Sequence, residues 1–199
     1  MSPLPFSFDS VLNFTDLLHK FRAIERVLLM NNNDRNENDV EHSFSVALLG
    51  WYINDTQHLG LNVEKILKYA LIHDLVEVHA GDTFFYQKDS KAIADKKHRE
   101  EKAAKQLQKE FPEFPELHNL IAAYEKREDK ESKFIYALDK VEPILSIYLD
   151  GGRTWRRDKV TLDMIKTTKK SKVEVDPTIN ALFDETVSRL TQKEEELFG

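Results

Sequence analysis

The chain of 199 residues contains no cysteine. Disulfides and thiolate zinc sites are therefore excluded, and any bound metal must rely on histidine, carboxylate or carbonyl ligands. The absence also fits a reducing compartment. Glycine and proline number six each, too few for a loop-rich β-sandwich, and good helix formers dominate. The N-terminus, Met1 to Asp9, has neither a basic n-region nor a long apolar core, so no signal peptide is expected. The longest apolar run, Val46 to Ile53, is too short to span a bilayer. No membrane association is expected, and the chain reads as cytoplasmic. A surplus of positive charge is missing too. The net charge of −6 argues against binding along a nucleic-acid backbone. It leaves room for a small phosphorylated partner, because a metal ion and one local arginine override the global field.

What is present describes a soluble globular protein of one domain, 41% hydrophobic and 32% charged. The hydrophobic spacing predicts an all-α chain with no convincing strand. Val11, Phe14, Leu17, Leu18, Phe21, Ile24 and Leu28 recur at three–four spacing, giving a helix over Asp9–Met30, with a possible break near Ala23. A polar loop from Asn31 ends in the N-cap candidate Asp39. Further helices are expected over about 40–56, 62–80, 90–111, 115–127 and 131–149, and C-terminal helices over about 160–197. Residues 82–89 are expected to form a loop carrying Phe84, Phe85 and Tyr86, and Gly151-Gly152 is expected to end the 131–149 helix. The lysines of the 90–111 helix alternate with acids and read as a solvated face.

The informative residues are His73 and Asp74, set beside Leu71, Ile72, Leu75 and Val76. A carboxylate buried among apolar residues needs compensation, and a cation is the usual one. On a helix Glu77 shares a face with both. An exposed helix end with solvated charges would explain the same spacing about as well. His42 alone reads as a cap or a surface residue, and Asp139 alone as a partner of Lys140 or of a remote arginine. Pro143 offers no N–H to the Asp139 carbonyl, which predicts a kink or opening there.

Taken together, His42 … His73-Asp74 … Asp139 resembles the H…HD…D signature of HD-domain phosphohydrolases. The similarity is greatest to the branch of bacterial 5′-deoxynucleotidases and oxetanocin-like HD proteins. It rests on Glu41-His42-Ser43, on His73-Asp74-Leu75-Val76-Glu77 with Gly81-Asp82, and on Lys133-Phe134 through Leu138-Asp139-Lys140, and it runs from about Arg26 to Leu149. It implies a single-domain helical HD bundle over 1–199, with a motif-bearing core at about 26–149.

The resemblance further implies that His42, His73, Asp74 and Asp139 bind one divalent ion. Glu77 and Asp82 would be the catalytic acids, and Arg26 would hold the substrate phosphate, with Arg22 as its rival. A mixed nitrogen and oxygen site suits Mn, Co, Fe, Zn or Mg, which acidifies water and neutralises phosphoryl oxygens. A homodimer is implied as well. The chain departs from the pattern at Val27, where the deoxynucleotidases carry a sugar-reading tryptophan. The expected function is release of phosphate from nucleoside 5′-monophosphates. The alternatives are hydrolysis of a nucleoside triphosphate or a guanosine polyphosphate, metal-dependent nucleotide binding without turnover, and a structural helical protein.

Overall fold

A computed structural model describes residues 7–81 and 90–199, with side chains from residue 96 onward in the second stretch. The elements run α1 (Phe8–Arg22), β1 (Glu25–Leu29), β2 (Asn36–Asn38), α2 (Asp39–Thr56), α3 (Val63–Ile72), α4 (Glu77–Ala80), α5 (Ser90–Glu110) and α6 (Pro115–Lys126). They continue with α7 (Lys130–Leu149), α8 (Arg153–Asp158), α9 (Leu162–Val173), α10 (Pro177–Gln192) and α11 (Glu194–Phe198). Among the described residues the fold is all-α apart from a small antiparallel pair, β1 with β2.

That pair corrects the expected helix over Asp9–Met30. The helix stops at Arg22, where Ala23 caps it and donates its N–H to the His19, Lys20 and Phe21 carbonyls. Leu28 then turns into the core from an extended strand. Apolar spacing continues unchanged across the break, because Leu28 serves a buried face in either conformation. The hairpin is fastened from the far end of the chain. Arg153 on α8 bonds Asp150, Asp34 and the carbonyls of Met30 and Asn33, and Arg157 reaches the Val27 carbonyl and Asn36.

Two apolar cores hold the bundle. The larger gathers Val46, Ile66, Phe134, Ile135, Leu138 and Ile165 with their neighbours on α2, α3, α7, α9 and α10. The smaller joins α1, α5 and α6 through Leu17, Phe21, Leu107 and Ile121, together with Leu75 and Val76. Gly50 lets α2 lie close against α3 and α7: a Cβ there would stand 3.1 Å from Ile135 Cδ1 and 3.2 Å from Ile66 Cγ2. Helix α7 remains helical through Pro143, so the expected opening comes down to the one backbone bond that proline cannot donate. Gly151 and Gly152 adopt positive φ and turn the chain from α7 into α8.

Asp129 ties α3 to the start of α7. Its carboxylate accepts from Ser132 N (2.7 Å), Tyr69 Oη (2.7 Å) and Lys65 Nζ (3.2 Å). Burial opposes its charge, yet the bonds from Ser132, Tyr69 and Lys65 hold its pKa down to about 2. A carboxylate depressed in the folded state adds stability above its unfolded pKa, and loses it as pH falls through the folded value. We expect Asp129→Ala to lower unfolding stability by about 1–2 kcal/mol at pH 7. In denaturant titrations the gap from wild type should close as pH falls from about 4 towards about 2.

Candidate metal centre

The helix expected over 62–80 is interrupted where the chemistry lies. The His73 N–H still bonds the Tyr69 carbonyl at 3.0 Å. Beyond it the backbone tightens to three-residue steps: Leu75 N to Ile72 O, Glu77 N to Asp74 O, Val78 N to Leu75 O. Such 3₁₀-type turns re-aim side chains relative to a continuous α-helix. Here they send Leu75 and Val76 into the smaller core, while the His73 ring packs beside Tyr124 of the larger one.

Four of the expected residues meet at this break. One donor atom each from His42, His73, Asp74 and Asp139 lies within 4.8 Å of every other. His42 comes from the first turn of α2, whose start is fixed by a capping box between Asn38 and Glu41. Asp139 comes from the middle of α7. Both imidazoles are buried, and both carboxylates nearly so.

Hydrogen bonds fix which nitrogen of each ring faces the centre. His73 Nδ1 donates to the Ala70 carbonyl at 2.8 Å. His73 Nε2 is buried without a hydrogen-bond partner, 3.2 Å from Asp74 Oδ2 and 3.8 Å from Asp139 Oδ1. In the neutral ring this atom carries a lone pair, and it is aimed at two anions. His42 differs in having a carboxylate at each ring nitrogen, with Nδ1 2.9 Å from Glu142 Oε2 and Nε2 3.1 Å from Asp139 Oδ1. Lone pairs and carboxylates converging in this way repel one another unless a cation stands between them. Donors about 2.1 Å from one ion lie at most about 4.2 Å apart, and the observed cluster, with its donors within 4.8 Å of one another, is near that spacing. The donor set fits a divalent ion of the harder kind.

The site's electrostatics agree. Burial opposes ionisation of Asp139, but Lys140, His42 and His73 hold its pKa well below the usual carboxylate range. Asp74 is likewise held down against burial, by His73 and Arg26. Burial and Arg26 oppose charge on His42, yet Asp139 and Glu142 raise its pKa to about 9. The carboxylates thus favour a cation at His42 Nε2.

Several contributors were not visible in the sequence reading. Glu142 orients His42 and is itself held by Ser146 Oγ at 2.7 Å, the carboxylate–histidine support common behind metal ligands. Glu37, His42 and Glu142 form a second buried group, which shares His42 through its orienting nitrogen and so backs the first. Burial, and then Glu142, push the Glu37 pKa up to about 7. Glu142 lies one helical turn from Asp139, and that spacing was the available signal.

Arg26 stands at the centre. Its guanidinium contacts Asp74 Oδ2 (3.0 Å), Asp39 Oδ1 (3.3 Å) and Glu37 Oε2 (3.3 Å). Arg22 is exposed at the end of α1. Glu77 is buried, with Oε1 3.4 Å from Lys96 Nζ, so Lys96 departs from the solvated face expected for α5. Lys140 pairs with Asp139. His79 contacts Glu110 at 2.9 Å. Asp82, Phe84, Phe85 and Tyr86 lie outside the described residues. Among the described residues, no helix is long and apolar enough to cross a membrane.

Comparison with known proteins places this geometry in context. The sequence profile described as HD domain matches residues 18–180. The chain is 32% identical over 139 residues to the human 5′-deoxynucleotidase HDDC2, covering 68% of this chain and 66% of that one. It is 28% identical over 147 residues to 5′-deoxynucleotidase hdd1 of Schizosaccharomyces pombe, covering 70% and 71%. The match thus spans about two thirds of these relatives' length. A crystal structure described as a predicted metal-dependent phosphohydrolase from Magnetospirillum magnetotacticum MS-1 superposes with a TM-score of 0.80. It is 29% identical and covers 97% of each chain.

The proposed ligands come from α2, α7 and the turn after α3, so a bound ion would cross-link the bundle. Stabilisation by mass action reaches roughly 2.7 kcal/mol at a hundredfold excess over Kd. The melting temperature should therefore rise with Mn²⁺ or Co²⁺ in the wild type and stay flat in Asp74→Ala, read by calorimetry. Glu142→Gln should bind Mn²⁺ about 10–100-fold more weakly. An unchanged melt with every divalent ion, and no metal by elemental analysis, would remove the site.

Proposed function

The chain belongs to the HD domain family, and from that premise we propose that it is a metal-dependent phosphohydrolase acting on nucleoside 5′-monophosphates. The observation that carries this reading is His73 Nε2, buried, without a hydrogen-bond partner and directed at Asp74 and Asp139. The two deoxynucleotidase relatives supply the substrate class.

His42, His73, Asp74 and Asp139 would hold the ion, with Mn, Co, Mg, Fe and Zn as candidates. When bound, the ion acidifies water and offsets phosphoryl charge. The Ala70 carbonyl and Glu142 keep the two imidazoles in the tautomer that presents Nε2. Glu77 lies three residues after Asp74, its carboxylate held beside Lys96, and is assigned the proton from the attacking water. Asp82 is assigned, on its place in the sequence, to protonate the leaving alkoxide. Arg26 is assigned to the phosphate. In the structure its guanidinium braces Asp74. An acidic chain with a nucleotide substrate fits a cytoplasmic enzyme with no role on nucleic acid.

We further propose a homodimer. Phe44, Leu48, Trp51 and Tyr52 form an exposed stripe on the outer face of α2, with Leu71 of α3 also exposed. Apolar residues contiguous on one face are characteristic of an interface. Light scattering should give twice the chain mass for the wild type, and the chain mass for Phe44→Glu/Trp51→Glu.

Phosphate release should be measured for paired ribo- and deoxyribonucleoside mono-, di- and triphosphates after chelation and resupply of each metal. Monophosphates should lead. With Val27 in place of an indole, the two sugars should differ by less than roughly a hundredfold in kcat/KM. Glu77→Ala should bind Mn²⁺ normally and lose turnover by about 10²–10⁴-fold. A Glu77→Ala variant at the wild-type rate would refute the assigned proton path.

A further inference from the structure

The centre opens on one side into a cleft of about 1010 Å³ that takes in His73, Asp74 and Asp139. That is room for a nucleotide. Beyond these ligands the cleft is lined by Tyr124 and Arg127 at the end of α6 and by Tyr136 of α7. Arg127 lies over the Tyr136 ring, its Cζ 4.5 Å from the centroid. Resting on the phosphohydrolase reading, we infer that Arg127 and Tyr136 form a nucleobase platform, so that the cleft takes the phosphate at the metal, beside Arg26, and the base at this stacked pair.

Arg127 owes its position to the way α6 ends. It caps the helix in the left-handed region, at φ 52, where glycine is the usual residue. Its N–H closes the helix on the Ala123 and Tyr124 carbonyls, and its side chain crosses to α7. Among the described residues the guanidinium makes no ion pair, and the Tyr136 ring is its support. Lys96 and Lys140 differ: the first lies against Glu77 and Glu100, both at 3.4 Å, and the second against Asp139. Both Arg127 and Tyr136 are partly exposed. A guanidinium is planar, weakly hydrated and stacks on aromatic faces. Such flat surfaces match the face of a base, which stacks on rings and guanidinium planes alike, better than they match a tetrahedral oxyanion.

Placement supports the same assignment. Tyr136 precedes Asp139 by three residues and Lys140 by four, so on α7 it shares their face, one turn or roughly 5 Å away. Lys140 Nζ accordingly lies 5.2 Å from the Tyr136 centroid. A nucleoside monophosphate interposes one ribose between phosphate and base, and one helical turn spans that ribose. Tyr124, one turn before Arg127 on α6, fills the interval, its ring edge-on to His73 with centroids 6.0 Å apart. Arg26 remains at the phosphate end, bonded to Asp74. Every base has a π-face, so the platform registers that a base is present and tolerates which one it is. What it adds is preference for nucleotides over sugar phosphates that carry no base.

The test uses Mn²⁺-loaded full-length protein. AMP and ribose 5-phosphate share sugar and phosphate and differ in the base. Both are titrated calorimetrically into Glu77→Ala, alone and combined with Arg127→Ala or Tyr136→Leu, and KM for AMP is measured in the matching variants with Glu77 intact. Each substitution should weaken AMP by about 5–100-fold relative to ribose 5-phosphate, and KM for AMP should rise in step. Tyr136→Phe should keep the wild-type ratio. Arg127→Lys, which retains the charge and loses the plane, should not. A pair that merely stapled α6 to α7 would lower the melting temperature and leave the ratio unchanged. If the wild type turns over nucleoside monophosphates and neither substitution moves the ratio, the platform is wrong and the activity stands. Equal losses for the two ligands would assign the pair to sugar or phosphate and overturn the base platform. If AMP binding depends on the pair but no phosphate ester is cleaved, the platform stands and the hydrolase reading falls. If AMP does not bind at all, both fall.

Discussion

Two carboxylates, Asp74 and Asp139, are set within a few ångströms of each other inside the bundle, and much of the structure exists to make that tolerable. Two like charges about 4 Å apart repel by roughly 4 kcal/mol at a protein-like dielectric. Each is met by positive charge from a different direction. Arg26 approaches Asp74 from the hairpin, Lys140 approaches Asp139 from within α7, and both imidazoles turn Nε2 towards the pair. The arrangement makes sense around a cation, and the outer layer of Glu37, Asp39 and Glu142 then answers the charge of Arg26 and His42 in turn.

This constraint explains why the centre sits at the seam of two cores. A continuous helix through His73–Ala80 would keep a single apolar stripe and could pack against only one of them. The three-residue turns at 73–78 let Ile66, Tyr69 and Ala70 serve the larger core while Leu75 and Val76 serve the smaller. His73 and Asp74 occupy the change of direction. Polar groups there face the junction, and neither apolar interior has to absorb them.

The residues that meet at the centre were largely legible because their chemistry is local in sequence. His73, Asp74 and Glu77 fall within one turn, whereas His42 and Asp139, which alone read as a cap or surface residue and as an ion-pair partner, joined them only through the H…HD…D pattern. The supporting layer was harder to read. Glu37 and Asp39 sit in a run of Asn, Asp and Glu that reads as solvated loop, and only the pairing of β1 with β2 turns them inward. The hairpin itself was hidden because Val27, Leu28 and Leu29 continue the apolar spacing of α1, and nothing local marks where helix gives way to strand. Lys96 carries no signal of its own among so many lysines. Its place beside Glu77 comes from α5 packing against α4, which is tertiary information.

The fastening of the hairpin bears on what counts as a self-sufficient unit. All four proposed metal ligands and Arg26 lie before residue 140, and the motifs alone would suggest cutting the chain near Leu149. The clamps that hold β1 and its loop come from beyond that point, from Asp150, Arg153 and Arg157, the last bonding a carbonyl 130 residues upstream. A fragment ending before them would keep the whole inner set of the centre and lose the anchorage of the strand that aims Arg26. The C-terminal quarter is thus part of the site at one remove, and motif boundaries in this chain underestimate the length of polypeptide that its chemistry requires.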